Sequence, residues 1–223
     1  MFGTQHSETA KSYFNLGMLR EAKQDYAGAS AYFDHVLKID RAACGEESEE
    51  VAKDIAALSR SLMYEGKYEE AKGRLKQNIS FVEKSLGPDH PVLTIMLQAL
   101  AVIEEKRDNA KEAERIHLRI IEINTKAMGE EHDSVAGARS YYGLFLLGQN
   151  KLTAAADQFR RAAVLLARST KREGTGRQDM RAVMDLYANV LRRLRYDEAL
   201  ISKHIRSLED GIDPVEDKGR TKA

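Results

Sequence analysis

The sequence predicts an all-α fold, a right-handed superhelical solenoid of about five antiparallel helix pairs, on three observations. Gly3, Gly45, Gly87 and Gly129 recur every 42 residues, and Ala29, Ala71, Ala113 and Ala155 keep the same step. Such a period marks stacked repeats, each a small unit that buries its apolar face only against its neighbours. The three prolines, Pro88, Pro91 and Pro214, fall outside the long periodic segments, so nothing interrupts helices from about Ser7 to Leu208. Those segments are rich in Ala, Leu, Glu, Lys and Arg, all good helix formers. With 43% hydrophobic and 31% charged residues the chain carries enough apolar material for a core.

The predicted units are 3–44, 45–86, 87–128, 129–170 and 173–208 of one solenoid, with 209–223 expected as a disordered polar tail. Three residues before each repeated alanine stand Tyr26, Tyr68, Ala110 and Leu152, the expected first residues of the second helices. A fifth copy is placed at Tyr196 and Ala199, two residues late, with the loop "STKREGTGRQD" taking up the difference. In the second unit Val51, Ile55, Leu58 and Leu62 keep helical spacing, "EGKYEEA" makes the turn, and Ala71, Leu75, Ile79 and Val82 continue the pattern. Gly66 suits the left-handed residue that ends the first helix, and the small Ala71 lets the returning helix come close.

At these residues a resemblance becomes specific. "YEGKYEEAKGRLKQNISFVEKSLGPDHP" resembles the tetratricopeptide repeat, in the 42-residue variety of kinesin light chains. The likeness runs from about Gly3 to Leu208. The family's small residue at the helix crossing is matched by Gly17, Ser59, Ala101 and Gly143, with Tyr187 in unit five. Its large residue in the second helix is matched by Phe33, Leu75 and Phe159, with His117 and Lys203 as departures. Unit five therefore reads as a terminal cap with a polar outer face.

The resemblance implies a concave groove lined by the first helices of successive units, in which a peptide or partner domain binds. Carried over position by position, it assigns Lys11, Phe14, Asn15 and Met18, then Lys53, Arg60 and Tyr64, then Ile95, Gln98 and Val102. Ser140, Tyr141 and Leu144 follow from unit four, and Arg181, Met184, Asp185 and Arg192 from unit five. Apolar anchors beside basic and amide groups suit a peptide whose carboxylates meet Lys or Arg. The carboxylate clamp that one sub-family uses on chaperone tails has Phe14, Met18, Ala57, Ile95 and Ala99 at its positions here, so that ligand is not expected.

Chemistry is not expected. His6, His90 and His132 share one repeat position, which spreads them at helix-packing distances of roughly 10 Å or more, while zinc ligands gather about 2 Å from one ion. They read as punctuation: Gly87 ends a helix in a left-handed turn, Asp89 or His90 caps the next, and Pro91 enters its first turn. Cys44 stands at a helix end where the dipole does not lower a thiol pKa. The "GTG" at Gly174 lacks the strand and further glycine of a phosphate cradle. No paired carboxylates stand in a pocket-like context, and all carboxylates are read as solvated. No catalytic residue, metal or cofactor is assigned.

Formal net charge is zero, with 35 basic and 35 acidic residues, which gives no whole-molecule attraction to nucleic acid or an anionic membrane. Between Arg160 and Arg206, however, twelve basic residues face five acidic ones. Three readings stay open there: an acidic protein partner, a solvated face, or, with no aromatics interleaved for base stacking, nucleic acid. A lone cysteine, no export signal and no apolar run near the roughly 18 residues of a membrane span favour a cytoplasmic setting. The expectation is a non-catalytic interaction scaffold, with a regulatory or sensor module as the alternative.

Overall fold

A computed structural model describes residues 7–174 and 176–215, with Ser7 and Glu8 as backbone alone. Its described residues form ten α-helices and no strand. They run α1 Ser7–Ala22, α2 Tyr26–Cys44, α3 Glu49–Tyr64, α4 Tyr68–Leu86, α5 Leu93–Lys106, α6 Ala110–Met128, α7 Asp133–Gly148, α8 Leu152–Glu173, α9 Arg177–Arg193 and α10 Glu198–Glu209. The chain forms two compact units, one up to Ile116 and one from His117 on.

The turn inside each pair has one construction, a Schellman ending. Lys67 N–H donates to Leu62 O at 2.9 Å and Gly66 N–H to Met63 O at 3.0 Å, satisfying carbonyls that the helix end would orphan. Asp25, Asn109, Lys151 and Tyr196 repeat the longer bond to Arg20, Glu104, Leu146 and Leu191. This motif needs one residue at positive φ: Gly66 supplies it at 79°, but Gln24 (61°), Asp108 (57°), Asn150 (57°) and Arg195 (65°) do so with side chains. Asp and Asn tolerate that region well; Gln24 and Arg195 occupy it at a cost that the two turn bonds offset.

Turns between pairs are built differently. Gly87 has φ 94° and ψ 162°, Gly45 has 88° and 162°, and Gly129 shares the positive φ at 89°. This is positive φ with an extended ψ, a region only glycine enters readily, rather than the left-handed helical turn expected for Gly87. The next residues confirm punctuation: Ser48 Oγ accepts from Val51 N–H at 3.2 Å, His90 Nδ1 from Val92 N–H at 3.3 Å and His132 Nδ1 from Ser134 N–H at 3.1 Å. Ser48 replaces histidine without loss because any short acceptor caps the helix. His6 and Gly3 lie outside the described residues.

In the first unit α1 packs on α2, α2 on α3, α3 on α4, and α5 on both α3 and α4. Gly17 is required at the first crossing: a Cβ there would stand 2.7 Å from the Phe33 ring. In the second unit Gly143 meets Phe159 at the same 2.7 Å, and His117, buried, stacks near Tyr142 and Phe145 at the position that phenylalanine holds elsewhere.

The fifth pair departs from the expected register. Asp197 caps α10 by accepting Leu200 N–H at 2.8 Å, so the helix begins at Glu198, two residues after Tyr196. Ala199 is exposed, and Ile201 takes the buried position three residues in. Tyr187 is buried and its hydroxyl bonds His204 Nδ1 at 2.9 Å. Burial pushes the Tyr187 phenol up to about 12.

Beyond α10, residues 209–215 of the expected tail are placed. Gly211 and Ile212 close a further Schellman turn onto Leu208 and Ser207, and Arg168 Nε donates to Gly211 O at 3.2 Å. Asp213 and Arg160 form a buried ion pair. A guanidinium on a buried face of α8 needs such a carboxylate, and the segment supplies it. Residues 216–223 of that tail lie outside the described ones.

Candidate interaction surface

The first helices of the first unit leave two surface cavities. One, of about 340 Å³, is lined by Ala10, Lys11, Phe14 and Asn15 of α1, Val36 and Asp40 of α2, and Glu50, Lys53 and Asp54 of α3. It brings together four of the residues assigned from sequence, Lys11, Phe14, Asn15 and Lys53. Phe14 is half-buried with its ring 5.2 Å from that of Phe33, while Lys53 reaches Glu49 at 2.6 Å along its own helix.

A second cavity, of about 330 Å³, lies between α3 and α5. Ala56, Met63, Ile95, Ala99, Val102 and Ile103 make it mainly apolar, and it collects five more assigned residues, Arg60, Tyr64, Ile95, Gln98 and Val102. Tyr64 is 53% exposed and stacks on Tyr26 at 4.8 Å. Arg60 is not a free cation: Nε and Nη2 donate to the two Glu21 oxygens at 2.8 and 2.7 Å. That bidentate pair holds the guanidinium above its ordinary value, and Ser61 Oγ adds a third contact to Glu21 at 3.2 Å.

Of the other assigned residues Met18 stays on α1, 41% exposed, and the rest belong to the second unit. Tyr141 is 54% exposed on α7. Arg181 and Asp185 are exposed on α9, and Arg192 is held in a bidentate pair by Glu198 at 2.8 and 3.2 Å. Met184, also carried over as a groove residue, is instead in the core at 3% exposure, because it falls in phase with Met180, Val183 and Tyr187.

Sequence reasoning missed the acidic floor of the first cavity. Asp40 and Asp54 are buried, at 8% and 2% exposure, and form the carboxyl pair that was not expected in a pocket-like context. Burial, then the charge and hydrogen bond of Asp40, then Glu50, push Asp54 up to about 8. Burial and the Glu50 charge also raise Asp40, with the Asp54 hydrogen bond working against them. Asp54 Oδ2 is buried and receives no hydrogen bond. The signal was in the phase of the helices: Asp54 falls on the Val51, Ile55, Leu58 stripe, and Asp40 follows Val36 by four residues.

Half of the basic stretch of the second unit is compensated by carboxylates within the fold. Arg160 and Arg161 pair with Asp157, Arg168 with Glu131, Lys171 with Asp210 and Arg172 with Glu173. A mixed cavity of about 280 Å³ sits there among Glu130, Glu131, Arg139, Arg161, Arg168 and Asp213. Among the described residues no group of three or more His, Cys, Asp and Glu is placed to hold a metal, and no helix is long and apolar enough to cross a membrane. Cys44 is exposed, and loss of hydration with the Asp40, Glu50 and Asp54 charges raises its thiol above the ordinary value.

Antiparallel pairs with a small residue at each crossing and a fixed 42-residue step define a helical-repeat protein. Residues 55–92 match the family described as tetratricopeptide repeat. The fold is similar to that of BtubC (BKLC) from P. vanneervenii, with TM-score 0.64 and 15% identity over 93% of this chain and 79% of that one. Two structures of a Podosopora anserina protein described as a kinesin light chain with nearly identical TPR-like repeats are also similar. One has TM-score 0.66 at 16% identity, covering 94% of this chain and 97% of that one; the other has 0.56 at 16%, covering 86% and 99%. Comparison with curated protein sequences gives no match. Residues 55–92 thus carry a tetratricopeptide repeat, and the fold of the chain is similar to those kinesin light chain-like repeat structures.

Proposed function

We propose that the protein is a non-catalytic protein–protein interaction scaffold that binds a peptide or partner domain along the first helices of its repeats. One observation carries the reading: the surface of α1, α3 and α5 holds two cavities that gather nine of the seventeen assigned residues. The cavity between α3 and α5 has the make-up of a side-chain pocket, an apolar floor with an exposed tyrosine and an amide at its edge. A peptide laid there inserts an apolar or aromatic residue beside Tyr64 and bonds Gln98. The exposed, unbridged Cys44 supports a reducing, cytoplasmic setting.

An acidic partner and nucleic acid draw less support from the basic stretch of the second unit than its composition suggested. Half of its arginines, Arg160, Arg161, Arg168, Arg172 and Arg192, pair with internal carboxylates, which lowers the charge left for such a ligand. A regulatory role therefore rests on the same first-unit surface.

The test is affinity capture with the full chain and with Tyr64→Ala plus Val102→Asp, read by mass spectrometry. Proteins retained by the native chain and lost by the variant support the reading. Equal recovery by both, with the variant folded by circular dichroism, overturns it.

A further inference from the structure

The first cavity has a floor that its own protein leaves incomplete. Asp40 and Asp54 reach it from two helices, both more than nine-tenths buried, and Asp54 Oδ2 has no donor. Elsewhere in the same unit a buried carboxylate is given a cation: Glu104, fully buried, has Lys72 Nζ at 2.7 Å. Among the described residues no ion pair of that kind meets the Asp40–Asp54 pair.

Above the acids the walls are apolar, from Ala10, Phe14 and Val36, and the rim carries Lys11, Asn15, Glu50 and Lys53, all exposed. A ligand group that satisfies this arrangement has an apolar stem and a multiple-donor cationic head. Lysine and arginine side chains have that build, with methylenes that lie along apolar surface and N–H groups at the tip. The two rim lysines do not cancel the attraction. Lys53 is already taken by Glu49, and exposed charges are screened by water while the buried pair is not.

We propose that this cavity receives one basic side chain, arginine or lysine, of the protein ligand, its cationic head held by the Asp40–Asp54 pair and its stem against Phe14 and Val36. The inference rests on the interaction-scaffold reading and gives the partner a chemistry: a positive anchor residue at the α1–α3 end of the surface. The groups facing the pair are Lys11 from α1, Cys44 from α2, and Glu50 and Lys53 from α3. Of these the lysines keep their charge through neutral pH, so the change that gates the site is ionisation of the pair itself. Asp54, pushed up to about 8, is largely protonated at pH 6 and largely ionised at pH 9. A cation entering the site expels that proton.

The experiment uses the isotope-labelled full chain and small probes, N-acetylarginine amide and N-acetyllysine amide (free side-chain amine), with N-acetylcitrulline amide as the neutral shape match. Amide shifts are followed by NMR. The expected result is saturable shifts centred on Ala10, Phe14, Asp40 and Asp54 for either cationic probe, with affinity rising roughly a hundredfold from pH 6 to pH 9. Citrulline gives no saturable shift. Asp54→Asn removes the rise with pH, and Asp40→Asn weakens binding at both pH values. Equal binding of citrulline, no binding of either cation, shifts centred elsewhere, or affinity independent of pH in the native chain overturns the proposal. The pH series needs no variant, so a poorly folded substitution does not obscure it. Probe binding is also independent of partner capture. Loss of capture through Tyr64 with no probe binding sinks only this inference, and the reverse outcome sinks only the scaffold reading.

Discussion

Asp54 and Glu104 lie in the same unit and are both buried, yet the protein treats them oppositely. Burial works against the ionised form of each. At Glu104 the hydrogen bond and charge of Lys72, with a hydrogen bond from Asn109, overcome it and hold the carboxyl below its ordinary value. At Asp54 the nearest ionisable neighbours are Asp40 and Glu50, so burial and like charge act together and the carboxyl rises to about 8. The difference teaches that in this repeat the burial of an acid does not fix its state; the residue facing it from the next helix does. One site is a finished structural contact between α4 and α5, and the other is an unfinished one opening onto a cavity.

Removing the cation from the finished site should have the largest effect. Lys72→Met leaves Glu104 buried without its paired cation, held by the Asn109 hydrogen bond, and breaking a buried pair from one side costs about 3–5 kcal/mol. The native Glu104 has a lowered folded pKa, so its stabilisation is present at neutral pH and is lost as pH falls through that pKa. In the variant the sign reverses, and stability should decline as pH rises above the ordinary glutamate range. Urea unfolding at pH 5 and pH 8 checks both the size and the sign. A loss under about 1 kcal/mol at pH 8 would mean that Lys72 is not what keeps Glu104 ionised.

A purely steric change separates packing from charge. Ala71 is fully buried at the α3–α4 crossing, where Ser59 Oγ donates to its carbonyl at 3.5 Å. Ala71→Leu overpacks that contact and should cost about 1–3 kcal/mol. The cost should be the same at pH 5 and pH 8, since no titrating group is touched. A cost that grows with pH would show the crossing and the Asp54 site to be coupled.

Much of the helical framework is legible in the residue spacing. The starts of α2, α4, α6 and α8 at Tyr26, Tyr68, Ala110 and Leu152 follow from the spacing of the small crossing residues. Helix contact distance leaves little freedom there, as the 2.7 Å approach at Gly17 and Gly143 makes plain. The start of α10 was misplaced because the preference of Asp197 for a cap position outweighed repeat counting. The saturation of Arg60 was not legible: its partner Glu21 is 39 residues upstream, and no local spacing rule joins them. Nor was the fate of the basic stretch, since compensation depends on which acids other helices bring near. The Asp40–Asp54 pair was legible in helical phase, but composition alone made those acids look like surface residues.

Asp54→Asn should move stability in the unusual direction. A carboxyl raised from 3.8 to about 8 holds, in the folded state, a proton that the unfolded chain releases. Native stability therefore falls as pH rises from about 4 to about 8 and levels off above. The amide removes that linkage: little change near pH 5, and a gain of about 1–3 kcal/mol at pH 8.5, after allowing for relaxation of the pair. Thermal melting at the two pH values decides it. Destabilisation at pH 8.5 would mean that the ionised pair is already satisfied by groups within the chain.

The smallest effect belongs to the rim. Lys53 and Glu49 pair at 2.6 Å along one helix, with side chains 54% and 61% exposed, so Lys53→Gln should change stability by no more than about 0.5 kcal/mol. Its more useful readout is the slope of melting temperature against pH. If the floor of the cavity answers to burial and to Asp40, while the rim answers to water, that slope stays as in the native chain. A steeper slope would mean that the Lys53 ammonium reaches through the cavity to steady the acids. The contrast between an Asp54 without a cation and a Glu104 with one would then shrink to one of distance.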